Sequence, residues 1–141
     1  MTFLKFRKGF TLVEIMIVTM ILVLLALLAI PGMLRARHNA NEANAIRAMR
    51  LISSAMETYR SGQTPPEYPS SFAELANAVP PYLDSILATG TKQGYIYTYS
   101  GGTTVYTVTA SPETVGVTGT RVFFLDHTGV IRLDDSAGNP I

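Results

Sequence analysis

The sequence contains no cysteine. That absence excludes disulfide stapling, thiolate metal sites, cysteine nucleophiles and C-x-x-C-H haem attachment together, and it leaves the redox compartment unread. Charge is also scarce: 15% of residues are Asp, Glu, Lys or Arg, against roughly a quarter in ordinary globular domains. The formal net charge of +1 is too small to argue for a nucleic-acid partner, because that affinity is mainly electrostatic. No G-x-S-x-G elbow and no glycine-rich phosphate loop occurs, so hydrolase and nucleotide chemistry both lack their usual frame. The two histidines are His38 and His127, and Asp126 beside His127 is a sequence neighbour, which is no evidence of a triad. With 141 residues there is room for one domain and an anchor. The chain reads as a non-enzyme.

What charge there is lies unevenly. Lys5, Arg7 and Lys8 precede a long apolar run, and Arg35, Arg37, Arg47, Arg50 and Arg60 follow it against only Glu42 and Glu57. From Ser61 onward three basic residues stand against seven acidic ones. A basic stem and an acidic head result.

The apolar run extends from Phe10 to Ile30, and at about 1.5 Å per residue it can cross a hydrocarbon core of roughly 30 Å. The basic residues ahead of it favour a cytoplasmic N-terminus, although Arg35 and Arg37 reduce the asymmetry. It exceeds the about 7–15 apolar residues of a cleaved secretory signal. A plain anchor and a segment that works inside an assembly remain, and Glu14 bears on the choice. An acidic group near the membrane core costs on the order of 2.5–3.5 kcal/mol, which a plain anchor leaves unexplained unless the side chain, four residues after Phe10, escapes to the interface.

The string Lys8-Gly9-Phe10-Thr11-Leu12-Val13-Glu14-Ile15 resembles the class III leader of type IV prepilins and type II secretion pseudopilins. A short basic leader ends in Gly, an aromatic and a Glu follow at fixed offsets, and a long apolar run completes the pattern. The resemblance implies that a membrane peptidase cuts after Gly9 and methylates the new amine of Phe10. Residues 1–9 would then be leader, and residues 10–30 a retained transmembrane and filament-core helix. It further implies that Glu14 pairs with the terminal amine of a neighbouring subunit, so that a buried charge is neutralised only in register. Pro31 stands twenty-one residues after Phe10, as in the family, and with Gly32 marks the expected helix break; Val23 stands where many major pilins carry glycine. Losing the leader leaves eight basic against ten acidic side chains, a formal −2.

The partners implied are other copies in a helical filament, a prepilin peptidase and methyltransferase, an inner-membrane assembly platform with a cytoplasmic ATPase, and lipid before assembly. Nucleic acid and cofactors are not expected. The location implied is the bacterial inner membrane, single-pass with a periplasmic head, and afterwards an extracellular or periplasmic filament. A pilus subunit is the first reading, a pseudopilin of a type II secretion system the alternative, and a signal-anchored monomeric binding domain the reading from a different class.

Beyond Pro31, Ile46, Met49, Ile52, Met56 and Tyr59 recur at helical spacing, which predicts an amphipathic stem over residues 31–60 that covers a sheet. Residues 61–93 read as a connecting region with a short helix from Ser71-x-x-Glu74 to Ala78 and a helical turn from Tyr82 to Leu87. Residues 94–141 alternate and predict two hairpins, Tyr95–Tyr99 with Thr104–Ala110 and Arg121–Leu125 with Val130–Leu133. The expected fold is α+β and pilin-like, one long helix packed on a four-stranded antiparallel sheet. Tyr95, Tyr97, Tyr99 and Tyr106 are read as packing rather than a stacking platform. Asp126, Asp134 and Asp135 are the weak candidates for calcium that some pseudopilin heads suggest; lacking a dense run of oxygen ligands, they read as a turn aspartate and a solvated tail.

Overall fold

In a computed structural model, which describes residues 9–141, the apolar run opens a helix, α1, spanning Leu12–Gly62. The expected leader, residues 1–9 with Lys5, Arg7 and Lys8, lies outside the described residues apart from Gly9. The helix starts where Thr11 Oγ1 accepts the Glu14 amide at 3.2 Å, a threonine cap with Glu at the third helical position. It ends at Gly62, shortly before Pro65 and Pro66, which cannot continue it. The expected break at Pro31 and Gly32 is not an interruption: the helix runs through both. Proline forfeits one backbone hydrogen bond, whereas ending the helix there would leave the last carbonyls of the preceding turn without intrahelical partners.

The chain divides into two compact units, Met1–Arg35 and Ala36–Ile141. In the first, every described apolar side chain is exposed, and the helix is long and apolar enough by length and composition to cross a membrane.

In the second unit the remainder of α1 buries Ala45, Ala48, Met49, Ile52, Ala55 and Met56, with Ile46 and Tyr59 partly covered. The alanines keep the stripe flat enough for a sheet to approach. That sheet is an antiparallel meander of five strands in chain order: β1 Thr91–Lys92, β2 Tyr95–Gly101, β3 Tyr106–Pro112, β4 Phe123–Asp126 and β5 Ile131–Leu133. Four strands were expected; β1 is the addition. It is two residues long and joins β2 through Gln93 and Gly94, both at positive φ, as a two-residue hairpin with matched twist requires.

Alternation sets the faces. Tyr95, Tyr97, Tyr106, Val108, Ala110, Phe123, Leu125 and Ile131 point to the core, so the tyrosine row is packing. Burial pushes the hydroxyls of Tyr95 and Tyr97 up to about 12, which keeps them neutral. Two short helices, α2 Phe72–Asn77 and α3 Ser85–Ala88, close the core with Phe72, Leu75 and Leu87. The Ser71 side chain does not cap α2; Glu74 instead accepts the amide and hydroxyl of Ser70, each at 2.7 Å. Glu74 thus reaches the residue before the N-cap, and the reciprocal bond of a capping box is not formed.

Gly94 is required twice over. Its φ is +76°, and an added Cβ would lie 2.9 Å from the Thr118 Cβ. Gly94→Ala should therefore cost the head about 1–2 kcal/mol, read as a lower melting temperature of the full chain in detergent.

Candidate assembly site and a buried carboxylate

Gly9 and Phe10 precede the helix, with open space around Gly9 and Phe10 78% exposed. Their backbone lies outside the helix and is exposed. Glu14 follows in the first helical turn and is exposed. The aligned peptide dipoles favour a carboxylate at a helix N-terminus. Among the described residues no basic group pairs with it. The other polar side chain in the run, Thr19, is satisfied locally, its hydroxyl donating to Met16 O at 3.0 Å. Glu14 is thus the one group in the apolar segment whose charge calls for a partner from outside it.

The three aspartates considered for a metal are not brought together. Asp126 ends β4 and is committed: Arg132 Nη1 lies 2.9 Å from its carboxylate, and the Thr128 amide and hydroxyl donate to Oδ1. Asp134 and Asp135 follow β5 at the other end of that hairpin, where Asp135 Oδ1 accepts the Ala137 amide at 2.8 Å. Among the described residues no group of three or more His, Asp or Glu side chains could hold an ion. His127 is exposed beyond β4 and His38 lies on α1.

Glu42 was missed by sequence reasoning. It is 3% exposed on the stem, and five donors converge on it. Oε1 accepts the Thr120 amide and hydroxyl at 3.1 Å and the Arg121 amide at 3.3 Å. Oε2 accepts Arg121 Nε at 2.7 Å and faces Nη2 at 2.6 Å. Asn41 Nδ2 adds a bond to Thr118 O at 2.8 Å. One turn of the stem thereby holds the connection between β3 and β4. A Glu among four arginines gives no periodicity signal; the nearest hint was its place, at an i−3 offset, on the same helical stripe as Ala45 and Met49.

Burial alone would raise the Glu42 carboxyl, but the Thr120 amide, the Arg121 guanidinium and the Thr120 hydroxyl outweigh it and hold the value below the usual range. Asp126 behaves alike: burial raises it, and Thr128 and Arg132 lower it further. A lowered native value means stability that is complete above the unfolded pKa, about 4.3 for Glu and 3.9 for Asp, and lost as pH falls through the native one. Thermal melts of the full chain in detergent should be flat from pH 7 to about 5 and fall below about 4, less steeply in Glu42→Gln.

The family model of the prokaryotic N-terminal methylation motif matches residues 4–30, the stretch that holds Gly9, Phe10 and Glu14. The chain is also 31% identical over 91 residues to the type II secretion system core protein G of Escherichia coli (strain K12), covering 64% of this chain and 61% of that relative. The matched stretch thus spans less than two thirds of the relative's length. No solved structure matches the chain. The chain thus joins a stretch that matches the prokaryotic N-terminal methylation motif to a long apolar helix and a stem on an antiparallel sheet, and it is similar over 91 residues to a type II secretion system core protein.

Proposed function

We propose that the protein is a structural subunit of a pilus or pseudopilus filament, not an enzyme. The observation that carries this is the first unit: an apolar helix with every described side chain exposed, and one acidic group without a local partner. Lipid can cover the apolar surface but does not offset the charge. A bundle of like helices does both, if cleavage after Gly9 frees the Phe10 amine and that cation meets Glu14 of the adjacent copy. Assembly and neutralisation then coincide.

On this reading residues 1–9 are removed by the prepilin peptidase, which also methylates Phe10. Residues 10–30 wait in the inner membrane with the head in the periplasm, and an ATP-driven platform extracts them. The likeness to a type II secretion core protein supports the pseudopilus over the surface pilus taken first from sequence. Immunogold labelling of sheared filaments with an antibody to the head tests the proposal. Regularly spaced label along fibres is expected, absent when the gene is deleted; protein found only as membrane-bound monomers contradicts it.

A further inference from the structure

The fold leaves its charges segregated. All three basic residues after Ser61 are already paired, Lys92 with Asp84, Arg121 with Glu42 and Arg132 with Asp126. Among the described residues Glu67, Glu74, Glu113, Asp134 and Asp135 have no basic partner, and stem residues Arg37, Arg47 and Arg50 have no acidic one. The complement of each set is found on the same chain but out of its own reach.

Two surfaces carry this charge next to exposed apolar groups. The turn after β3 holds Glu113 at its root and Val115 and Val117 at its tip, 74% and 56% exposed. It is rigidly made: Gly116 N donates to Gly119 O at 2.8 Å, Thr118 N to Thr114 O at 2.9 Å, and Thr114 N to Thr118 Oγ1 at 3.1 Å. From below, Asn41 and Glu42 brace Thr118 and Thr120. Among the described residues nothing covers the valines, and the hydrogen bonds of the turn already order it, so docking them costs little further entropy. The second surface is the stem face turned away from the sheet, where Ala40, Ala43, Arg47, Arg50 and Leu51 are exposed, Leu51 at 61%. Alanines permit close approach, and the arginines flank them.

We propose that the 113–119 turn of one copy docks on the Ala43–Leu51 face of a second copy, the valines against Ala43 and Leu51 and Glu113 against Arg47 and Arg50. The proposal rests on the filament reading. The turn is braced at residues 41–42, and Arg47 to Leu51 lie five to ten residues further along the stem, about 8–15 Å at about 1.5 Å per residue. Parallel copies shifted by that amount bring turn and face level. Two different surfaces meet, so the contact is heterologous and repeats without closing, which builds a fibre rather than a dimer.

The native chain has no cysteine, so an introduced pair reports without background. In full-length protein assembled in cells, Val117→Cys with Leu51→Cys should give a ladder of disulfide-linked oligomers on mild oxidation, which neither single variant gives. Arg47→Glu with Arg50→Glu should lower filament yield at least tenfold while the head's melting temperature is kept, and adding Glu113→Lys should restore several-fold of that loss. Normal filaments with no ladder, or a charge reversal without effect, would overturn the docking and leave the filament reading standing. If the unaltered chain never polymerises, both fall.

Discussion

Glu14→Gln should leave the chain inserted in the membrane and trimmed after Gly9, yet lower its incorporation into filaments by two orders of magnitude or more. Glutamine serves as well as glutamate at the third position of a threonine-capped helix, so the cap at Thr11 is kept and charge alone is removed. Insertion is not harmed, since a neutral amide is cheaper in the bilayer than a carboxylate costing on the order of 2.5–3.5 kcal/mol. In the filament the loss is larger. Removing one partner of a buried ion pair costs about 3–5 kcal/mol, because the other charge stays buried, and each 1.4 kcal/mol or so is a factor of ten. The stranded cation would be the Phe10 amine. Quantifying sheared against membrane-retained protein by immunoblot reads the effect, and equal partition of variant and parent would remove the charge pair from the account.

The second large effect belongs to Glu42. Glu42→Ala should destabilise the head by about 3 kcal/mol, since it strands the Thr120 and Arg121 amides and an arginine that converge on a carboxylate only 3% exposed. For a unit of this size that is a fall of roughly 12–24 °C in melting temperature. Arg121→Ala should cost far less, about 1 kcal/mol. Its side chain is 53% exposed and so screened by water; Oε1 keeps its two backbone amides, and removing the exposed side chain opens Oε2 to water in place of the guanidinium. Circular dichroism melts of the full-length variants in detergent order them. Equal losses would mean that the ion pair and not the backbone contacts holds the β3–β4 connection.

Much of this fold is legible in the sequence, for a physical reason: period. The stripe through Met49, Ile52 and Met56 and the alternation of Tyr95 and Tyr97 each report a buried face, and a buried face needs a partner. A run long and apolar enough to cross a membrane is legible from length and composition. Three features are not. Strand β1 is too short to show a period and depends on a turn whose residues, Gln93-Gly94, are not the usual Asn-Gly or Asp-Gly. Continuity through Pro31 is decided by the many bonds on either side, whereas local rules weigh only the one that is lost. The Glu42 cluster joins residues 78 and 79 positions apart, and nothing along one strand or helix announces such a contact. Of the residues proposed for assembly, Gly9, Phe10 and Glu14 stand out because a charge inside an apolar run is costly and a short string surrounds it. In the proposed filament what pairs with that charge lies on an adjacent copy, which the sequence of one chain does not display.

Mass analysis of the N-terminal peptide of protein recovered from sheared filaments is the most direct measurement. The account predicts a chain that begins at Phe10 with a methylated amine, the cation that faces Glu14 of the next copy. A filament built from chains that still carry residues 1–9 would contradict it.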